Sequence, residues 1–171
     1  MGVPQKRERV FFIALRKDLA EPFLYQKTMF DVEPELKLEF NEKPILFKEI
    51  KSDGDRKKIS ETIFNAYDYC MNKRTPDFAQ YYEVNFNKRK YFNTRLIFDN
   101  AICDTIKSDC THVIEGERAY INDNELKKAG SYPKDYNFVN SKVSYLIGMS
   151  VPPLMTAKIA EQIKLQWLDK L

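Results

Sequence analysis

Val10-Phe11-Phe12-Ile13-Ala14-Leu15 is an unbroken apolar run with Arg and Lys on both sides. Its β-branched and aromatic content predicts a strand buried on both faces rather than a half-exposed one. After Asp18 the pattern loses its period, and Pro22, Pro34 and Pro44 break a mixed segment expected to run over the surface. Ser52-Asp53-Gly54-Asp55 reads as a turn. Ser60, with Glu61 and Thr62 behind it, can open a helix, and Ile59, Ile63, Ala66, Tyr67 and Cys70 recur at helical spacing to about Met71. Short strands are expected at residues 96–98, 101–106 and 112–114, with a turn at Gly116. Residues 124–129 predict a short helix closed by Gly130. In the last element Pro152 and Pro153 suit a helix start, and Leu154, Ala157, Ile159, Ala160, Ile163 and Leu165 supply an apolar face up to about Trp167.

Residues 76–93 differ in kind, with tyrosines and phenylalanines set among asparagines and basic residues. Asn85-Phe86-Asn87-Lys88-Arg89-Lys90-Tyr91-Phe92-Asn93-Thr94-Arg95 carries four positive charges and no acid. Such a run is in general a solvated loop. Phe86, Tyr91 and Phe92 read as a small core in preference to stacking platforms.

Composition narrows the class without choosing a function. A chain of 171 residues can form one domain of ordinary size. Its 28 Lys and Arg against 25 acids give a net charge of only +3, too mild for affinity resting on phosphate contacts alone. Cys70, Cys103 and Cys110 have no CxxC spacing and His112 is the single histidine, so no metal site is expected. The cysteines read as buried small hydrophobes. Met1-Gly2-Val3-Pro4 followed by charges is no signal peptide, and residues 10–15 are too few to span a bilayer. These features predict a soluble, reduced, cytoplasmic protein with no membrane partner.

Three strings, in order, carry a resemblance. They are Gln5-Lys6-Arg7-Glu8-Arg9 before the apolar run, Asn124-Glu125-Leu126 leading to Gly130-Ser131-Tyr132-Pro133-Lys134-Asp135-Tyr136, and Gly148-Met149-Ser150-Val151-Pro152-Pro153. They resemble the eighth, ninth and tenth sequence blocks of the cytosine-5 DNA methyltransferases. The resemblance implies an α/β fold: the C-terminal part of a doubly wound core with an inserted mixed α+β target-recognition domain. By that reading residues 1–19 carry the core strand and the QxRxR block, residues 20–123 the recognition domain, and residues 124–171 its end and the return to the core.

The family flips its target cytosine out of the duplex, because the ring carbon it modifies is unreachable in the stack. The resemblance gives Arg9 the cytosine pocket, where a guanidinium can donate to O2. Taken alone, Arg9 reads as a cap on a strand start, paired with Glu8 or a nearby acid. Gln5, Arg7, Glu125 and Pro133 take structural roles. Asn124 stands where the family usually has arginine, which is expected to cost Glu125 its internal salt bridge. Met149, Ser150 and Val151 fall beside the S-adenosylmethionine pocket, with Met149 in place of the usual asparagine, Ser150 free to donate, and a backbone N–H at the helix start suited to a carboxylate. Lys73, Arg74, Lys88, Arg89, Lys90 and Arg95 become candidates for double-stranded DNA, chiefly its phosphates. Asn85, Asn87 and Asn93 could touch base edges. Thr105-Ile106 resembles the family's Thr-Leu pair.

Other family motifs are missing from these residues. Methyl transfer needs a thiolate presented after proline, whereas Cys70 follows Tyr69, Cys103 follows Ile102 and Cys110 follows Asp109. No Glu-Asn-Val occurs and the five glycines stand far apart, so no glycine-rich cofactor turn is present. Three readings follow: one part of a split methyltransferase completed by a separate N-terminal chain, a stand-alone DNA-binding module, or an inactive gene remnant. Without that other half, residues 10–15 would keep an open edge and exposed apolar surface, favouring association.

Overall fold

Two dipeptides hold the centre of the fold. In the computed structural model, which describes residues 1–26, 29 and 32–171, Leu96–Ile97 pairs in parallel with Val113–Ile114. Successive side chains on a strand point to opposite faces. Leu96 and Val113 therefore enter one buried cluster with Ile59, Ile63, Ala66, Tyr67, Cys70, Phe78 and Phe98. Ile97 and Ile114 enter a second, with Phe47, Ile50, Cys103, Ile106, Ile121, Leu126, Ala129, Phe138 and Ile147.

In chain order the elements are helix α1 (Lys17–Ala20), strands β1 (Leu24–Gln26) and β2 (Val32–Pro34), and helices α2 (Phe47–Ile50), α3 (Phe64–Lys73) and α4 (Phe78–Phe86). Strands β3 (Leu96–Ile97) and β4 (Val113–Ile114) follow, then helices α5 (Asp123–Ala129), α6 (Val143–Met149) and α7 (Pro153–Gln166). β1 and β2 pair antiparallel, Leu24 opposite Pro34, while residues 27, 28, 30 and 31 of the expected surface segment lie outside the described residues. No helix among the described residues is long and apolar enough to cross a membrane.

The local reasons are visible in the chain. Ser60 Oγ accepts the Thr62 N–H at 3.4 Å and starts the 3-10 turn that leads into α3, as expected from the sequence. Helix α4 was not foreseen; Asp77 opens it by accepting the Ala79 N–H at 3.0 Å. Both α3 and α4 end on a residue in the left-handed region, Arg74 and Asn87. Glycine is required at two close approaches. A Cβ on Gly130 would come within 2.9 Å of Ile147 Cγ2, and one on Gly148 would fall inside the backbone of Lys107 and Ser108. These contacts let α5 and α6 pack on each other and set α6 on residues 107–108.

Several expectations need correcting. Residues 10–15 form no strand: Val10 is 80% and Phe12 96% exposed, while Phe11, Ile13 and Leu15 are half-buried. A strand buried on both faces needs neighbours in the sheet, and among the described residues it has none. The strand expected at 101–106 shrinks to a single parallel bridge between Gln5 and Cys103. Helix α7 buries Met155 and Ile159, half-buries Ile163 and is capped by the buried Trp167, so the packed stripe is an i, i+4 row; Ala157, Ala160 and Leu165 face out. Trp167 anchors that row, its Nε1–H donating to the Glu35 carbonyl at 2.9 Å. Phe86, Tyr91 and Phe92 are no core either. All three are substantially exposed, and Phe86 and Tyr91 stack on Tyr82 at 6.0 and 5.1 Å.

Candidate functional site

The sequence blocks converge on one junction. Gln5 is buried and donates Nε2–H to the Ala129 carbonyl at 2.9 Å, while its Oε1 accepts the Ile106 N–H at 3.3 Å. Lys6 continues the contact through its backbone: its N–H reaches the Cys103 carbonyl at 2.8 Å, and the Thr105 hydroxyl donates to its carbonyl. Arg7 closes the junction. Its Nη1 donates to the Ile106 carbonyl at 2.8 Å, and its Nη2 to those of Gly148 and Ser150 at 2.7 and 2.6 Å. A planar guanidinium with several donors in fixed directions suits three converging carbonyls, where an ammonium would not. Burial, then the like charge of Arg9, pull the Arg7 pKa below its ordinary value. Leu154 N–H donates to Ser131 Oγ at 3.2 Å, which ties the start of α7 to the turn after α5.

A second buried network braces α5. Glu125 is fully buried; its Oε2 accepts the Asn122 N–H at 3.0 Å and the Asn122 side chain returns a bond to Glu125 N–H at 2.9 Å, a reciprocal cap. The internal salt bridge expected to be lost with Asn124 is present with another partner. Arg56 Nη2 lies 2.5 Å from Glu125 Oε1, and Arg56 Nη1 lies 2.9 Å from Glu117 Oε2. Nothing local in the sequence marks Arg56. It is brought in by the Asp53-Gly54 turn, 69 residues before its partner. Pro133 is exposed in the following loop, and its carbonyl accepts the Tyr136 N–H at 3.1 Å, a turn that places Tyr132, Tyr136 and Phe138 ring to ring.

Of the remaining sequence candidates only Ser150 joins the junction, through its backbone carbonyl. Arg9 is exposed and donates to the neighbouring Glu8 carbonyl at 2.7 Å. Met149 and Val151 are 66% and 37% exposed, and the Ser150 hydroxyl donates to the Ile147 carbonyl at 3.0 Å. The start of α7 offers no open N–H for a carboxylate: Pro152 and Pro153 have none and Leu154 donates to Ser131. Met149 and Val151 are thus exposed on either side of a half-buried Ser150.

The basic candidates divide into two sets. Arg74 is paired with Glu115 at 2.5 Å and lies over the Phe98 ring at 4.3 Å. Arg95 pairs with Asp77 and Asp104 at 3.4 and 3.1 Å, and Arg89 with Glu83 at 3.3 Å. Lys73, Asn87, Lys88 and Lys90 are exposed, and among the described residues no ion pair engages the three lysines. Asn85 and Asn93 spend their amide N–H groups on the Tyr81 carbonyl and on Asp109, at 2.8 and 2.6 Å. Among the described residues no cluster of His, Cys, Asp and Glu could hold a metal. Burial pushes the Cys70 thiol up to about 12 and the Cys110 thiol to about 11, and raises Cys103 as well. All three stay protonated near neutral pH, unsuited to a nucleophile's task.

The family model of the C-5 cytosine-specific DNA methylases matches residues 1–165. The chain belongs to that family. C-5 cytosine methylases act on DNA and use S-adenosylmethionine as methyl donor, and a mixed structure of helices and small sheets is compatible with part of an α/β methyltransferase. No curated protein and no solved structure matches the chain. Within a methylase, the junction built by Gln5 and Arg7 is where segments 143 residues apart in sequence are held to one another.

Proposed function

We propose that this chain is the C-terminal, DNA-recognition part of a DNA (cytosine-5-)-methyltransferase, acting with a separate N-terminal part that supplies the nucleophile and most of the cofactor site. The observation that carries the reading is the Arg7 fork, which ties the QxRxR segment to the carbonyls of Gly148 and Ser150. That tie supports a surface carrying Arg9, Met149 and Val151, all of them exposed, to which the missing elements could be added. The exposed apolar side chains of Val10 and Phe12 support a second part, since apolar surface left open to water favours association. The protonated thiols support a nucleophile from elsewhere.

In the assembled enzyme a thiolate of the second part attacks cytosine C6 and makes C5 nucleophilic toward the methyl donor. Arg9 serves the flipped base at O2, and Met149, Ser150 and Val151 line one side of the S-adenosylmethionine site. Lys73, Lys88 and Lys90 position the duplex through its phosphates, and Asn87 reaches toward a base edge. Mixing the chain with an N-terminal methylase part bearing the Pro-Cys and glycine-rich motifs should transfer labelled methyl groups to DNA, and Arg9→Ala should abolish the transfer. A folded pair that transfers none sinks the reading. A non-catalytic DNA-binding module is the second reading, favoured by the exposed lysines at 88 and 90. It expects salt-sensitive duplex binding by this chain alone.

A further inference from the structure

Residues 83–92 are all exposed, from the last turns of α4 into the loop before β3. Both ends of that loop are fixed. Asn87 caps α4, its N–H reaching the Glu83 carbonyl at 3.1 Å, and the Lys88 N–H reaches the Tyr82 carbonyl at 3.3 Å. Asn93 donates to Asp109 at 2.6 Å and accepts from Lys107 at 3.1 Å. Three rings stand on the stretch, Phe86, Tyr91 and Phe92, at 55%, 41% and 59% exposure. Tyr91 holds a left-handed backbone at φ 56°, which bulky side chains rarely adopt. Tyr82 has the Tyr91 ring at 5.1 Å and the Phe86 ring at 6.0 Å. A shared neighbour thus keeps Phe86 and Tyr91 on one small surface. Apolar rings gathered in an exposed patch mark a surface that meets another molecule.

The charges beside the rings narrow what covers them. Lys88, Arg89 and Lys90 separate Phe86 from Tyr91, and no acid occurs between Glu83 and Asp99. Arg89 leans back on Glu83 at 3.3 Å, while among the described residues no ion pair engages Lys88 or Lys90. Rings interleaved with cations match a chain that alternates flat apolar faces with negative charge. An acidic protein surface would supply the charge without the faces. Nucleic acid supplies both, and the family to which the chain belongs acts on DNA. The rings then choose between its forms. In a duplex each base is covered above and below by its neighbours, so a side-chain ring can stack only on an unpaired base. The lysines suit the phosphates of either form, and the rings are what an unpaired strand would use.

We propose that the loop from Phe86 to Phe92 binds single-stranded DNA, with unpaired bases stacked on its three rings and Lys88 and Lys90 facing the phosphates between them. The proposal rests on DNA as the family's substrate and not on completion by a second part. Fluorescence anisotropy of the full chain tests it with a short labelled oligothymidylate, an abasic strand of the same length, and the oligothymidylate annealed to its complement. The abasic strand keeps the phosphates and lacks the bases. The oligothymidylate should bind roughly tenfold more tightly than either control. Phe92→Ala should remove about that factor, leaving the abasic strand's binding and the circular dichroism spectrum unchanged, and Phe92→Trp should restore it. Lys90→Ala should weaken both strands alike and flatten their salt dependence. The proposal is overturned if the folded chain binds no oligothymidylate, if the abasic strand or the duplex binds as tightly, or if Phe92→Ala changes nothing. Equally tight binding to vesicles containing phosphatidylserine would assign the rings to a membrane surface and overturn it as well. Failure here leaves DNA methylation by the assembled enzyme untouched, since that is read by label on duplex DNA.

Discussion

Residues 5–7 and residues 9–15 follow one another along the chain and meet opposite surroundings. Gln5 and Arg7 spend their side chains, and Lys6 its backbone, on carbonyls and N–H groups of residues 103–106, 129 and 148–150. Residues 9–15 present an arginine turned to its own neighbour and, at Val10 and Phe12, apolar side chains turned to solvent. Polar residues are buried and apolar ones exposed because burial follows available partners, not side-chain class. Arg7 has three carbonyls within reach, whereas Phe12 has nothing to pack against. The inversion separates what this chain completes from what it offers to another.

The comparison can be pressed from its most costly contact downward. Arg56→Ala should cost about 3–5 kcal/mol in urea unfolding, because it strands a fully buried Glu125 without its cation. A loss under about 1 kcal/mol would show that the α5 brace is not structural. Arg7→Ala should cost about 3 kcal/mol, since bonds from a charged donor are worth roughly 1.5–3 kcal/mol each and the carbonyls it leaves are partly buried. Arg7→Lys should recover only a fraction, as one ammonium cannot span Ile106 and Ser150 together. Phe12→Asp should stay within about 0.5 kcal/mol of the parent, as expected of an exposed position away from structural features, while lowering the chain's tendency to associate in sedimentation. A Phe12→Asp variant that unfolds would place residues 10–15 in a core and erase the contrast.

Much of the scaffold was legible in the chain. Ser60 and the row from Ile59 to Cys70 announced α3, the diproline announced α7, and Gly130 marked the end of α5. The Gln5, Arg7 and Gly148 positions were visible as motifs, but their meeting point was not, because hydrogen bonds to backbone carbonyls leave no trace in the identity of the accepting residue. Helix α4 was missed because its tyrosines and phenylalanines follow no clean apolar stripe. On α7 the composition offered two apolar rows, and the row of Met155, Ile159 and Trp167 is the buried one, with Trp167 set against Phe23 and the Glu35 carbonyl. Arg56 gained significance only from folding, which set it against Glu125.

The pairing of β3 with β4 has a consequence for how the molecule comes apart. Four residues serve two clusters at once, Leu96 and Val113 in one and Ile97 and Ile114 in the other. A slip of one residue in either strand would turn its side chains into the wrong cluster on both sides together. The two clusters are therefore expected to loosen together, with the slowest-exchanging amides in this four-residue ribbon, as native-state hydrogen exchange would read.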